Sequence, residues 1–391
     1  MTTRIKILDI INTAASARQL LLNRVRAVNE RDGFENWVAC GDGPDLWDLR
    51  AAAIPVEVIE SPPGISLSHV SPLATAVALR RMTRFIREQR FSAVHTHGPV
   101  QGVIGRVAAH LARTPVVIHT EHGAVYHEHQ NPVARRAYML AERLMSSVTD
   151  HLLFLTEAER RHAVEAGLSG RATVHLIGNG IDLAGFSESR SRGAVHRHAP
   201  VVIAVARLDP VKNIPMLLRA VKRLVRQGVA FECWILGDGV CRRELLHYVQ
   251  KHDLEGHVRF LGYRTDVADV IREADVAVLT SIKEGVPRGL MEPLAMGLPA
   301  VATDVKGNRE VIRDGKCGYL VPLDDDAALA ERLGRLLRDP SLRARMGAAG
   351  ARRVRERFDE RDVINRILAL YSELFPQTET QPELTRAWAA N

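Results

Sequence analysis

The chain has 391 residues, 46% hydrophobic and 25% charged, with a formal net charge of +7 and a pI near 9.5. This length predicts two globular domains, each able to bury its own core. The sequence shows no signal-peptide core and no window near the roughly 20 apolar residues of a membrane span, which favours a cytoplasmic protein. The basic charge favours nucleotide-sugars, anionic lipids or nucleic acid as partners, and the low aromatic content of 5% makes nucleic acid the weakest of these.

The four cysteines are scattered along the chain, at Cys40, Cys233, Cys241 and Cys317. They form no Cys-x-x-Cys pair and have no histidine at ligand spacing. We therefore expect reduced thiols rather than a disulfide framework or a zinc site.

The first half of the chain alternates short apolar runs with helical periodicity. Such alternation predicts a mostly parallel sheet with helices on both faces. The predicted strands cover 5–11, 37–40, 56–59, 93–97, 115–120, 151–155 and 173–177, and the predicted helices cover 16–31, 71–89, 100–112, 132–147 and 157–166.

A second alternating series follows a polar stretch. We predict a first domain over 1–186, a linker over 187–199, a second domain over 200–359, a helix over about 360–376 that packs back on the first domain, and a disordered tail over 377–391. A cleft between two such domains is the natural ligand site. The second series has strands at 201–205, 231–236, 258–261, 276–279 and 300–302, and helices at 214–226, 242–252, 326–337 and 340–357.

The stretch 280–299 is the most informative part of the second domain. It follows a buried strand, starts a helix near Arg288, and carries Glu284 and Glu292 eight positions apart. Gly285 and Gly289 have no side chain, so a ligand can approach the backbone of the loop. The helix N-terminus faces the carboxyl edge of the sheet, where phosphates bind. The two carboxylates could hold different parts of one extended ligand.

Arg207 and Lys212 follow the first strand of the second domain, at the same sheet edge. Two cations there suit a diphosphate. Taken alone they are more simply a solvated basic loop, but beside Glu284 the binding interpretation is the stronger one. Gly237, Gly262 and Tyr263 follow the next two strands and are weaker candidates, since such glycines are more often only turns.

These features together resemble the retaining glycosyltransferases of family 4, over about residues 93–358. The resemblance rests on Glu284 with Glu292 (a Glu-x7-Glu pattern), Arg207 with Lys212-Asn213, Asn179-Gly-Ile-Asp182, Arg309-Glu310-Val311 followed by Asp314 to Pro322, and the His-Thr-x-His-Gly stretch at 119–123. It implies a GT-B fold, in which two Rossmann-like, doubly wound parallel-sheet domains face a cleft.

The resemblance also implies a reaction and a site. A sugar would pass from a UDP-sugar to an acceptor hydroxyl with retention, in polysaccharide or glycolipid assembly, without cofactor or metal. The implied catalytic residues are His122, Glu284, Arg207 and Lys212. The implied donor-binding residues are Arg207, Lys212, Asn213, Gly237, Gly262, Tyr263, Glu284, Gly285, Val286, Pro287, Arg288, Gly289, Leu290 and Glu292.

Within that set, Arg207 and Lys212 would hold the diphosphate, Glu292 the ribose and Glu284 the donor sugar, with His122 near the reacting centre. Read without the family, His122 is more simply a polar loop residue. Asp324-Asp-Asp326 matches an Asp-x-Asp metal clamp, but its position predicts a helix cap instead.

The loop after the first strand departs from the family pattern, because 12–19 contains no glycine. The hydroxyls of two residues here could substitute as hydrogen-bond donors, and two small alanines permit close approach. The cleft candidates are Thr13, Ala14, Ala15, Ser16, His97, Gly98 and Asn179.

Three alternatives stay open. Arg80, Arg84 and Arg87 share a helix face that could touch an anionic membrane, although an ordinary surface helix is the favoured interpretation. The enzyme could instead be a sugar-phosphate synthase, which would need a basic pocket for the acceptor phosphate. It could also be a non-catalytic nucleotide-sugar binder, for which the missing glycines are the only support.

Overall fold

The computed structural model describes residues 4–59, 72–123, 131–186 and 199–376. The predicted tail and all but the last residue of the predicted linker lie outside these ranges. Among the described residues, no helix is long and apolar enough to cross a membrane.

The first domain is built on a seven-stranded parallel sheet with the strand order β3-β2-β1-β4-β5-β6-β7. The order reverses between β1 and β4, which places a crevice at the carboxyl ends of these two strands. The strands are β1 (Ile5–Ile10), β2 (Phe34–Cys40), β3 (Val56–Val58), β4 (Ala93–His97), β5 (Val116–Glu121), β6 (His151–Phe154) and β7 (Thr173–Leu176).

Within the described ranges, six α-helices pack around this sheet. Several begin at sequence-encoded caps: Thr156, for example, accepts a hydrogen bond from the Glu159 backbone amide. The helices are α1 (Ala14–Asn29), α2 (Leu46–Ala51), α3 (Pro72–Gln89), α4 (Pro99–Ala112), α5 (Pro132–Met145) and α6 (Glu157–Glu165).

The second domain repeats the architecture with six parallel strands in the order β10-β9-β8-β11-β12-β13. Its central strands are continuous apolar runs buried on both faces, as expected for a parallel sheet. The strands are β8 (Val201–Val205), β9 (Glu232–Leu236), β10 (Val258–Gly262), β11 (Val276–Leu279), β12 (Ala300–Thr303) and β13 (Gly318–Val321).

The helices of the second domain include two that border the cleft, α10 and α11. Asp325 caps α12 by accepting from the Ala328 amide, so the middle residue of the Asp-x-Asp pattern is a helix cap. The helices are α7 (Ile214–Arg226), α8 (Arg242–Lys251), α9 (Val267–Arg272), α10 (Arg288–Ala295), α11 (Lys306–Val311), α12 (Asp326–Arg338) and α13 (Pro340–Arg357).

The last helix, α14 (Glu360–Leu374), returns to the first domain. Its Tyr371 is buried and its hydroxyl lies 2.8 Å from Nδ1 of His95 on β4. At its start, Glu360 accepts a hydrogen bond of 2.8 Å from Asn23 of α1. The chain therefore returns from the second domain to the first at 358–360.

The predicted fold class, two doubly wound α/β domains of GT-B type, is confirmed. Four elements were not predicted: the six-residue helices α2, α9 and α11, and strand β13. The start of α1 was predicted near Ser16 but lies at Ala14, because the Thr13 side chain caps the helix by accepting from the Ser16 amide.

Candidate functional site

The loop that follows β11 is held by its own buried polar side chains. Thr280 donates to the Lys212 carbonyl at 3.0 Å, and Ser281 donates to Glu284 Oε1 at 2.6 Å. Both side chains lie at the carboxyl end of the buried strand. Glu284 therefore has a fixed position at the cleft rather than the freedom of a surface loop.

Lys212 and Glu284 form an ion pair at 2.5 Å, from Nζ to Oε1. Their side chains are 17% and 11% exposed, so the pair is sheltered but reachable. The sequence placed both residues at one sheet edge, and the structure brings them into direct contact. A bound anion would compete with the Glu284 carboxylate for Lys212, or share Lys212 with it.

The start of α10 is packed so tightly that only glycine fits at two positions. A Cβ at Gly289 would collide with the carbonyl oxygen of Val205, and one at Gly285 would lie 2.7 Å from the carbonyl oxygen of His122. Pro287 is the N-cap residue and Leu290 is fully buried. The bare backbone of this loop is thus also where the two domains touch.

Other contacts join the domains at the same place. Asn179 Nδ2 donates to the carbonyl oxygen of Val286 at 2.9 Å. Arg288 donates through Nε to Glu292 at 3.0 Å, and its Nη1 donates to the carbonyl oxygen of Gln19 in the first domain at 2.7 Å. Burial raises the pKa of Glu292, although Arg288 beside it acts in the opposite direction. Arg288 therefore links the Glu-x7-Glu helix to the opposite wall.

Three residues that the resemblance places at the donor have protein partners. Arg207 is 67% exposed and pairs with Asp209 at 2.9 Å. Asn213 has a left-handed backbone, and its side chain donates to Asp324 at 3.0 Å. Tyr263 donates to Asp45 of the first domain at 2.7 Å, a contact across the cleft. The sequence offered no signal for either Asp45 or Asp324 as a partner.

Gly237 and Gly262 meet at the ends of β9 and β10, where the Gly237 amide donates to the Gly262 carbonyl at 2.9 Å. Both have positive φ, of 139° and 70°. A Cβ at Gly237 would collide with the carbonyl oxygen of Ala206. The small size of these glycines lets the loop that carries Arg207 pack against the ends of β9 and β10. This packing requires glycine whether or not a ligand is bound.

The first domain faces this loop with a buried chain of polar groups that sequence analysis missed. Asp9 of β1 forms an ion pair with Arg24 of α1 and accepts from His97 Nε2 at 2.8 Å. His97 Nδ1 in turn lies 2.9 Å from His122 Nε2. Only His97 and His122 were candidates; Asp9 looked like an ordinary strand residue.

These bonds fix the protons on both rings. Burial raises the pKa of Asp9, but Arg24 and His97 outweigh it and leave the pKa below its usual value, so Asp9 is a carboxylate. His97 must then donate from Nε2 and accept at Nδ1, and His122 must donate from Nε2. Burial lowers the pKa of both histidines, which keeps them neutral. His122 is left with an unprotonated Nδ1.

His95 extends the chain toward the last helix. Its Nδ1 lies 3.3 Å from Arg24 Nη1 and 2.8 Å from the Tyr371 hydroxyl, while its Nε2 lies 2.7 Å from Thr120 Oγ1. Since the first two partners donate, His95 donates to Thr120. Asp9, His95 and His97 are close enough together to bind a metal ion, but Arg24 already supplies the positive charge there.

The glycine-free loop is shorter than predicted. Thr13 Oγ1 lies 2.9 Å from Ser16 Oγ and accepts from the Ser16 amide, so both hydroxyls are engaged in capping α1. Ala14 is buried, Ala15 is half-buried, and neither has a positive φ. A glycine does lie here, but after β2: a Cβ at Gly41 would come within 2.9 Å of the Asn12 carbonyl oxygen.

Two spaces open beside these walls. A small one, of about 50 Å³, is lined by His97, His122, Asn179 and Arg288 among others. Gly98, which follows His97, has a φ of 74° and caps α4. A larger cavity, of about 460 Å³, lies between β5, β6, α5 and α6 of the first domain and, in the second, the loop 282–285 and residues 304–310, which include most of α11. Glu284 lines this larger cavity.

Comparison with known proteins gives two family matches that together cover most of the chain. Residues 24–180 match the glycosyl transferase 4-like domain, and residues 186–353 match the glycosyl transferases group 1. The two matches fall on the first and second sheets respectively.

Two relatives illustrate the range of similarity. The phosphatidyl-myo-inositol mannosyltransferase of Mycolicibacterium smegmatis is 30% identical over 75% of this chain and 74% of its own length. The Escherichia coli UDP-Gal:alpha-D-GlcNAc-diphosphoundecaprenol alpha-1,3-galactosyltransferase is 26% identical over 70% of this chain and 73% of its own.

Solved structures agree in fold. Anabaena HepE in complex with UDP and glucose has a TM-score of 0.76 at 21% identity, covering 94% of this chain and all of its own. Sucrose-phosphate synthase from Thermosynechococcus elongatus has a TM-score of 0.78 at 20% identity, covering 96% and 100%. With two GT-B sheets and these relatives over most of its length, the chain belongs to the family 4 type of glycosyltransferases.

Proposed function

We propose that the enzyme transfers a sugar with retention from a UDP-sugar to the hydroxyl of a soluble or lipid-linked sugar acceptor, in the cytoplasm, during polysaccharide or glycoconjugate assembly. The observation that carries this proposal is the Lys212–Glu284 pair beside the bare N-terminus of α10, facing His122 across the cleft. A relative named for UDP-Gal, and a neighbour holding UDP and glucose, support the choice of donor.

In this mechanism the bond between the anomeric carbon and the diphosphate oxygen breaks as the acceptor hydroxyl adds from the same face. The departing diphosphate takes the hydroxyl proton, so UDP leaves with that proton and no protein nucleophile is needed. Lys212 and the α10 amides stabilise the charge that develops on the diphosphate. Arg207, exposed in this structure, would reach the same phosphates once it leaves Asp209.

The remaining roles follow the geometry. Glu284, fixed by Ser281 and Lys212, would accept from hydroxyls of the donor sugar. Glu292 would accept from the ribose once Arg288 shifts. His122, with an unprotonated Nδ1, would accept from a further sugar hydroxyl. Since Lys212 and α10 supply positive charge, we propose that no metal is required, so EDTA should leave the rate unchanged.

The test begins with binding of UDP, GDP, ADP and dTDP by calorimetry. We expect UDP to bind most tightly, after which a panel of UDP-sugars is screened for donor hydrolysis, and proton NMR of the product gives its anomeric configuration. An enzyme that does not bind UDP, or a product of inverted configuration, would contradict the proposal.

A peripheral contact with anionic membranes is a second proposal, supported by one face of α3. Arg80, Arg84 and Arg87 are exposed there, beside exposed Leu73 and Val77. Arg84 already pairs with Glu88, and Arg87 donates to the Leu111 carbonyl, which leaves the contact modest. Sedimentation with phosphatidylglycerol vesicles should fall on Arg80→Glu but not on Arg355→Glu, a surface arginine of α13.

A further inference from the structure

The larger cavity has the dimensions and position of a second substrate site. Its volume of about 460 Å³ lies within the range of about 300–1,000 Å³ that small-molecule sites occupy. Both domains line it. Because Glu284 belongs to its wall, a ligand bound here would lie next to the sugar that Glu284 is proposed to hold.

The charges on the described lining favour an uncharged ligand over a phosphorylated one. Six acidic side chains line the cavity, against four lysine and arginine side chains. Arg309 of this lining is paired with Asp304 at 2.6 and 3.0 Å. Glu142, also of the lining, is paired at 3.1 Å with the buried Arg106. A phosphate would therefore meet no excess of positive charge, whereas sugar hydroxyls would find abundant acceptors.

Glu121, the last residue of β5, is the most distinctive member of the lining. Its side chain is 15% exposed, and His119 Nε2 lies 3.9 Å away, beyond hydrogen-bond distance. Within the described part of the chain, its carboxyl has no hydrogen bond. Burial raises the pKa of Glu121 well above its usual value, and the charges of Glu142 and Glu159 add to this. Such a group, sheltered and facing a cavity, is typical of a binding site.

We propose that this cavity binds the acceptor as an uncharged, hydroxyl-rich sugar ring, and that Glu121 hydrogen-bonds its hydroxyls. The inference rests on the proposed function, since it names the second substrate of the same transfer. It separates the enzyme from a sugar-phosphate synthase, which would need a cationic cavity at this place. It also assigns different substrates to two adjacent residues: His122 faces the donor, and Glu121 faces the acceptor.

Two substitutions test the proposal in complementary ways. Glu121→Leu removes both carboxyl oxygens while keeping the bulk, and Glu121→Gln keeps one acceptor. Ala158→Trp fills the cavity from an exposed position of α6, so it leaves the core intact. The matched controls are Glu165→Leu, an exposed carboxylate at the end of the same helix, and Ala158→Ser.

The measurement is saturation-transfer NMR on full-length enzyme saturated with UDP, using free glucose, galactose, mannose, N-acetylglucosamine and glucose 6-phosphate as probes. We expect at least one neutral sugar to bind and glucose 6-phosphate to bind no better than glucose. Glu121→Leu should weaken binding of the neutral sugar at least tenfold, Glu121→Gln less, and Ala158→Trp should abolish it, with the Kd for UDP unchanged in all variants.

The outcomes separate the two proposals. Wild-type enzyme that does not bind UDP contradicts the proposed function. If UDP binds, the cavity proposal alone is overturned by any of three results: no probe sugar binds, glucose 6-phosphate binds more tightly than glucose, or Glu121→Leu and Ala158→Trp bind the neutral sugar as wild type does.

Discussion

The two walls of the cleft use charge in opposite ways. In the second-domain wall, Lys212, Glu284 and Arg288 are 17%, 11% and 22% exposed and pair with one another or with close neighbours. In the first-domain wall, Asp9 and Arg24 are 0% and 7% exposed and are bonded inside a chain of histidines. A ligand can exchange partners with the first set. The first-domain set is already bonded within the protein, so it acts as a scaffold that positions the ligand.

This comparison makes its largest prediction for the buried pair. Asp9→Asn should lower the free energy of unfolding by about 3–5 kcal/mol, because Arg24 would stay buried without its counter-ion. Glu284→Gln, in the other wall, should cost only about 1 kcal/mol, since its amide oxygen can still accept from Lys212. Urea unfolding of both variants measures the difference. Equal losses would show that the two walls do not differ as described.

The second-domain wall should respond in activity instead. Lys212→Ala should reduce the transfer rate about 10²–10³-fold while the protein stays folded, since it removes one group that stabilises the departing diphosphate. Glu284→Ala should cause a loss of similar order. Lys222→Ala provides the matched control, because this lysine of α7 contacts His252 away from the cleft. Wild-type rates in Lys212→Ala would remove the central residue from the site.

The difference between the walls also explains what could be predicted from the sequence. The second-domain wall depends on local order: a buried strand, a glycine-bearing loop and a helix start lie in one run, so the spacing of Glu284 and Glu292 already placed them. Periodicity placed most strands and long helices for the same reason. Helices α2 and α9 were not predicted because six residues are too few to show a helical period.

The first-domain wall could not be predicted because its contacts are not local. Asp9, Arg24, His95 and Tyr371 come from β1, α1, β4 and α14, and only the strand order β1-β4 and the return of α14 bring them together. The same holds for Tyr263, whose partner Asp45 is 218 positions away. Nothing in the sequence around Tyr263 or Asp45 indicates that the two side chains are in contact.

Titration of the buried histidines gives a prediction of intermediate size. Burial lowers the pKa of His119 well below 6.5, so the unfolded chain takes up its proton first as the pH falls. Stability is thus lost below pH 6.5, by up to about 1.4 kcal/mol per pH unit for each such histidine. Glu121 and Glu292 act in the opposite direction, since their raised pKa values lower stability as the pH rises above 4.5.

Because these opposing groups are present in both proteins, the test compares wild type with His119→Gln. The variant should lose less stability between pH 6.5 and 5, by about 1.4 kcal/mol per pH unit at the lower end. Urea midpoints at four pH values give the slopes. Parallel slopes would mean that His119 takes up its proton equally in the folded and unfolded states.

The smallest effect concerns the glycine-free loop, where the sequence left open whether Thr13 contacts a ligand. Its hydroxyl accepts from the Ser16 amide, which is a cap's role, so Thr13→Ala should cost about 1 kcal/mol of stability. Asp339→Ala, which removes the cap of α13 far from the cleft, should cost a similar amount. If capping is the whole role of Thr13, UDP should bind both variants equally. Weaker UDP binding by Thr13→Ala alone would show that the hydroxyl serves the ligand as well, and that the first-domain wall reaches the donor through more than His122.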